Sequence, residues 1–410
     1  MIDFESFYLD NGLQVIVHED HSVQTAVLNL LYDVGSKDEA PDLTGFAHLF
    51  EHLMFGGSKH IDNFDEELQK AGGENNAFTS PDITNYYMTL PPQNLETGFW
   101  LESDRMLSLS FDPKVLEVQR SVVIEEFKQR YLNQPYGDLW LHLRPLAYKK
   151  HPYQWATIGK EISHIEKVTM DDVKSFFYKH YAPDNACLVI AGNVKLEDVK
   201  RLSAKWFAPI PTSNRTQRNL SMEPAQTERR ETTATGDVPQ DSLTMAFQMP
   251  GKFDEKYYAS DLVSDVLGRD KSSRLHTLVR DEKLFTNINA YVTGSSDPGL
   301  MVINGKVNQG VDITTAEKAV NEVIDTVLSG ITEQELDKVK NQAESALVFG
   351  DMEVLNRAMR LAIASLSGDA NLVNEEASRI SSVTLDEIDS QARNILDKNK
   401  ANVLYYQSQN

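Results

Sequence analysis

Apolar side chains at Ala26, Leu28, Leu30 and Tyr32 recur with a period of two, which predicts a half-buried strand. Residues 46–55 have helical spacing, with Leu49, Phe50, Leu53, Met54 and Phe55 marking a buried helix. Residues 83–90 read as a second strand, with Tyr86 and Met88 on one face and Asn85, Tyr87 and Thr89 on the other. Helical patterns follow over 93–107, 113–131, 136–147 and 169–180, and an apolar strand closes the series at 186–192. Strands and helices mix without strict βαβ alternation. That predicts an α+β domain with a mainly antiparallel sheet.

The pattern then repeats. Val168-Thr169-Met170-Asp171-Asp172-Val173 returns as Val383-Thr384-Leu385-Asp386-Glu387-Ile388. The same offset aligns Ala186-Cys187-Leu188-Val189 with Ala401-Asn402-Val403-Leu404. Asp112-Pro113-Lys114-Val115-Leu116 has a counterpart in Thr332-Glu333-Gln334-Glu335-Leu336, each opening a long helix with Ser110 or Thr332 available near the N-cap. Two copies of one fold are expected, in 1–208 and 228–410, joined by a linker over 209–227 that is poor in periodic apolar residues.

The length of 410 residues fits two domains of about 200 residues each. Hydrophobic residues make up 41% and charged residues 25%, the balance of a globular protein. No run approaches the roughly 18 apolar residues that would cross a bilayer. The opening Met1-Ile2-Asp3-Phe4-Glu5-Ser6-Phe7 has no basic or apolar signal segment, so the expectation is a cytoplasmic protein, or a periplasmic one if a leader has been removed. The formal charge of −21 argues against nucleic-acid binding, which needs a basic surface. Solvated faces account for such a surplus, which could also draw in basic peptides. The single cysteine, Cys187, precludes an internal disulfide and a cysteine-rich metal site, and its apolar neighbours predict a buried strand residue.

The chemistry concentrates in His48-Leu49-Phe50-Glu51-His52. Residues four apart share a helix face, so His48 and His52 can present two imidazoles to one ion, flanked by Glu51. Two imidazoles and a carboxylate suit zinc, which keeps one position for a water whose pKa falls to about 7. A nearby glutamate can take that water's proton. The H-x-x-E-H order is the inverzincin signature. Apolar neighbours imply a buried helix, where unpaired polar groups are costly. The helix from Pro113 offers Glu125 or Glu126 as third ligand. Glu126 shares a face with Gln119, Val122 and Val123, and Glu125 with Val118, Ser121 and Val122. Periodicity favours Glu126 only slightly. The other acid would then lie beside the ligands or at the surface.

These motifs together resemble the pitrilysin family, which includes mitochondrial processing peptidases and insulin-degrading enzymes. The resemblance rests on His48-x-x-Glu51-His52, on Val122-Val123-Ile124-Glu125-Glu126-Phe127, on Asn76-Ala77-Phe78-Thr79, on His151-Pro152-Tyr153 with Ile158-Gly159, and on the duplication. It covers nearly the whole chain and is closest to short two-domain members. It implies a metallopeptidase with one Zn²⁺ per chain on His48, His52 and Glu126, and Glu51 as general base. It also implies that Asn76, Ala77 and Phe78 form an edge strand along which an extended peptide lies. The implied substrates are short or unfolded peptides held between domains. Two domains are half of the chamber of longer relatives, so a dimer is implied.

Two positions depart from the pattern. Gln119 stands where many active members have a second glutamate, which puts any acid–base role there in doubt. Arg280 matches the arginine of an Arg–Tyr pair in the second repeat, which in the family holds the substrate and the developing oxyanion, but Asn287 stands where tyrosine is expected. The alternative is therefore a zinc-bearing subunit whose related partner supplies the pair, making a heterodimer rather than a homodimer. The second repeat has no metal motif, and the stretch around 259–268, at the place of the zinc helix, has no histidine.

Overall fold

A computed structural model of the chain describes residues 1–213 and 218–409. It contains two compact units. The first comprises residues 1–127, 156–220 and 348–376. Its six strands are β1 (Glu5–Tyr8), β2 (Gln14–Glu19), β3 (Ala26–Tyr32), β4 (Glu74–Thr79), β5 (Thr84–Leu90) and β6 (Ala186–Gly192), in the order β1-β2-β6-β3-β5-β4. Only β2 and β6 run parallel. β4 is an edge strand, paired with β5 alone, with Asn76 opposite Tyr87 and Ala77 opposite Tyr86.

β3 departs from the half-buried strand its alternation predicts, because every one of its residues is buried. The helix Val354–Ser365, from far along the chain, packs across β3 and β6. It sets Ala358, Leu361 and Ala362 into a cluster with Val27, Leu31, Val189 and Ala191. Alternation reports which face a strand prefers to bury, and a remote helix can cover the other.

Four helices of this unit bear on the site: α1 (Phe46–Leu53), α2 (Phe64–Lys70), α3 (Leu95–Leu107) and α4 (Pro113–Phe127). α3 packs on α2, β3 and β5, and α1 packs on α4. The start of α4 corrects the expected cap. Phe111 takes a left-handed φ of 51°, and Asp112, not Ser110, accepts the Lys114 N–H at 2.8 Å. The Ser110 N–H goes instead to the Gly57 carbonyl. At the other helix the expected Thr332 does cap, accepting the Glu335 N–H at 3.2 Å.

The second unit comprises residues 128–155, 221–347 and 377–410. Its strands are β7 (Arg230–Gly236), β8 (Ser242–Met249), β9 (Phe285–Val292), β10 (Gly299–Val307) and β11 (Asn402–Ser408), in the order β7-β11-β8-β10-β9. β11 lies parallel to β7 and antiparallel to β8, as β6 lies to β2 and β3. The sequence repeat is thus a repeat of topology. Thr169 and Thr384 each close a capping box, with Asp172 and Glu387, on the helices Met170–His180 and Leu385–Ile395. The chain is α+β throughout, with two mixed, mainly antiparallel sheets packed with helices. Cys187 is buried in β6, as expected.

Each unit draws a segment from beyond the expected division: 348–376 packs with the first and 128–155 with the second. Residues 214–217 of the expected linker lie outside the described residues. On either side the segment is tied down. Arg218 donates to Asp38 at 2.7 Å and to Asp33 at 2.9 Å, and Glu223 accepts the backbone N–H groups of Lys149, Lys150 and His151. Among the described residues no helix is long and apolar enough to cross a membrane.

Candidate metal centre

α1 exists because both of its faces are used. Phe46, Ala47, Leu49, Phe50 and Leu53 are buried, with the Phe46 and Phe50 rings against Phe176, while His48, Glu51 and His52 remain partly exposed on the opposite side. Its entry is set by Gly45, whose φ of 83° suits glycine and whose added Cβ would lie 2.4 Å from the Ile158 carbonyl oxygen. The N-terminus has no cap from Gly45 itself. Glu39, buried, accepts the Gly45 N–H at 3.0 Å and the Ala47 N–H at 2.8 Å. A carboxylate there satisfies two otherwise unpaired donors and meets the positive end of the helix dipole.

One turn apart, the His48 and His52 rings have centroids 4.9 Å apart and stand at 89° to one another. α4 brings Glu126 to them. Its Oε2 is 3.8 Å from His48 Nε2 and 3.5 Å from His52 Nε2, and one donor atom from each of the three residues lies within 4.8 Å of the others. Two ligands held about 2.1 Å from a tetrahedral zinc would be about 3.4 Å apart. The donor types and spacings therefore fit zinc. Glu125 is exposed, as are Val118 and Val122 on its face of α4, whereas Val123 is fully buried. The apolar content of the Glu125 face, which left the choice of acid nearly even, proves to lie at the surface.

Glu51 accepts a hydrogen bond from the Thr79 hydroxyl, 2.5 Å from Oε2. Burial pushes the Glu51 carboxyl above its ordinary range. Thr79 and His52 pull it back, and the Glu126 charge adds to the rise. Thr79 ends β4, the strand that carries Asn76, Ala77 and Phe78. Asn76 is exposed and its side-chain oxygen accepts the Ala77 N–H at 2.8 Å, while Ala77 and Phe78 are half-buried. Glu39 did not stand out in the sequence, and Thr79 did so only within a motif, with no role of its own. Thr79 was visible only as the last residue of the Asn76-Ala77-Phe78-Thr79 motif, and Glu39 lies outside any periodic element.

Three further positions drew attention in the sequence: Gln119, Arg280 and Asn287. Gln119 is half-buried on α4, two turns before Glu126. In the second unit Arg280 is exposed and donates from one guanidinium edge, Nε and Nη2, to the two Asp281 oxygens at 2.8 and 2.7 Å. Asn287 is exposed on the edge strand β9. The helix Tyr257–Gly268 packs its buried length on β9.

The pattern described as "Insulinase (Peptidase family M16)" matches residues 14–159, and that described as "Peptidase M16 inactive domain" matches residues 167–343. The zinc protease PqqE of Helicobacter pylori is 30% identical over 346 residues, 82% of this chain and 77% of that protein. This chain belongs to peptidase family M16. The crystal structure of a protease from Helicobacter pylori superposes on this M16 chain with a TM-score of 0.94 at 26% identity, covering 99% of this chain and 100% of that one. A probable mitochondrial-processing peptidase subunit beta of Arabidopsis thaliana is 24% identical over 354 residues, 83% of this chain and 66% of that protein. The first M16 match contains His48, Glu51, His52 and Glu126. The second lies where the duplicated fold carries no such cluster among the described residues.

Proposed function

We propose that this M16 chain is a zinc metalloendopeptidase that hydrolyses peptide bonds in short or unfolded peptides. The observation that carries the reading is the convergence of His48, His52 and Glu126 beside Glu51. These three residues would hold one zinc ion per chain. When bound, the ion supplies Lewis acidity at the scissile carbonyl and brings the pKa of a water to about 7.

The chain's own residues do the rest. Glu51 accepts the proton of the attacking water and returns it to the departing amine nitrogen. Its position beside the three donors, with the Thr79 hydroxyl bonded to one oxygen, suits a group that takes and gives a proton there. The open edge of β4 offers backbone donors and acceptors to an extended peptide of any sequence, with Asn76, Ala77 and Phe78 lining the seat.

The test is a fluorogenic peptide-library assay on the wild type and Glu51→Gln, with zinc content measured in both. Activity is expected to fall by orders of magnitude while zinc stays bound. An active variant removes Glu51 from the mechanism.

A second reading has an observation of its own. Arg280 pairs with its exposed neighbour Asp281, and Asn287 offers no phenol for an oxyanion. The likeness to a mitochondrial-processing peptidase subunit beta supports a zinc-bearing subunit that works with a related partner. A purified chain that cleaves peptides alone, at ordinary peptidase turnover, removes the motive for this reading.

A further inference from the structure

The Thr79–Glu51 hydrogen bond joins two parts of the proposed machinery that the sequence holds far apart: the base on α1 and the edge strand β4. Both ends of this bond are held by one short segment. After Thr79 the chain turns over Ser80–Ile83, where the Ser80 N–H donates to the Ile83 carbonyl at 2.8 Å and the Ser80 hydroxyl oxygen accepts the Asp82 and Ile83 N–H groups. The backbone N–H groups of Ser36 and Lys37 bind the Ser80 and Pro81 carbonyls, and the buried Lys37 ammonium pairs with Asp82 at 2.7 Å. Three residues after Ser36, Glu39 caps α1. Residues 36–39 thus grip the end of β4 with one hand and the start of α1 with the other.

We propose that Thr79 is a positioning residue for peptide hydrolysis. Its hydroxyl donates to Glu51 Oε2, its backbone N–H adds a second donor to the same carboxylate, and the hydroxyl bond ties the base to the strand on which the peptide is seated. The inference rests on the reading of Glu51 as general base. A carboxylate with a fixed donor on one oxygen keeps one orientation, and a reaction that needs a proton moved between set atoms is sensitive to such orientation. Thr79 is not one of the three metal-holding residues and acts through Glu51.

The experiment compares Thr79→Val and Thr79→Ser with the wild-type full chain, reading kcat, KM and zinc content for a fluorogenic peptide, with Glu51→Gln in parallel. Valine keeps the branched shape that suits a strand and removes the donor, whereas serine keeps the donor. Thr79→Val is expected to lower kcat by about 10- to 100-fold, the scale of one charge-assisted hydrogen bond. KM and zinc content stay at wild-type values, and Thr79→Ser recovers kcat to within about threefold of wild type. An unchanged kcat in Thr79→Val, a serine variant as impaired as the valine one, or a loss that follows lost zinc or a raised KM overturns the proposal. If Glu51→Gln kills activity while Thr79→Val is fully active, only this inference falls. If Glu51→Gln is active, the reading of the base falls with it.

Discussion

The Glu39 carboxylate accepts the Ala47 backbone N–H at 2.8 Å and thereby closes the first turn of the helix that presents His48, Glu51 and His52. An eight-residue helix has little stability of its own, so its ends matter. Glu39→Ala leaves two buried donors unpaired and is expected to cost about 1–2 kcal/mol. Urea denaturation reads the loss, and a zinc-chelator competition reads a weaker metal site in the same variant.

Gly45 gives a harsher test of the same entry. A methyl group there meets the Ile158 carbonyl oxygen at 2.4 Å in a backbone conformation that alanine resists. Gly45→Ala is expected to destabilise the fold by roughly 2 kcal/mol or more. A melting temperature equal to wild type would show that the loop yields without cost.

Glu125 and Glu126 are neighbours in sequence with opposite expected outcomes. Glu126→Ala removes the carboxylate 3.5 Å from His52 Nε2 and should abolish stoichiometric zinc, as should His52→Ala. Glu125→Ala, at an exposed position, should retain one zinc per chain. Metal analysis of the three purified variants decides it, and the reverse result would move the ligand to Glu125.

In the second unit, Arg274 donates to both oxygens of Glu335 at 2.8 Å, and Glu335 also accepts the Thr332 N–H at 3.0 Å. The Arg274 hydrogen bond leads in holding its carboxyl down to about 2 from an ordinary 4.5. A folded-state pKa below the unfolded one stabilises the fold above the unfolded value, and that contribution disappears as pH falls through the folded value. The stability difference between wild type and Glu335→Gln should therefore be constant above about pH 5 and shrink from 4.5 toward 2. Denaturant titrations at pH 7, 5 and 3.5 test the sign.

Residues 1–227 expressed alone lack the helix Val354–Ser365, which covers β3 and β6. They are expected to expose an apolar sheet face, bind a hydrophobic dye and lose cooperative unfolding. A well-behaved, cooperatively folding fragment would show that this helix is dispensable to the first unit.

What the sequence by itself determined is local. Side chains four apart on a helix share a face wherever that helix goes, so the His48–His52 pair was legible before any fold was known. The Thr332 cap, the repeat of 168–173 at 383–388 and the paired strands at Ala186 and Ala401 were legible for the same reason: turn chemistry and periodicity act within a few residues. The tertiary structure decided everything that depends on which way a helix is rolled and what arrives from far along the chain. It turned Glu126 inward and Glu125 outward, although both faces of α4 carry valines. It laid Val354–Ser365 over β3, put Asp112 rather than Ser110 at the start of α4, and brought Thr79 and Glu39 to α1. Contacts between distant segments leave no period in either partner, and only the packed chain shows them.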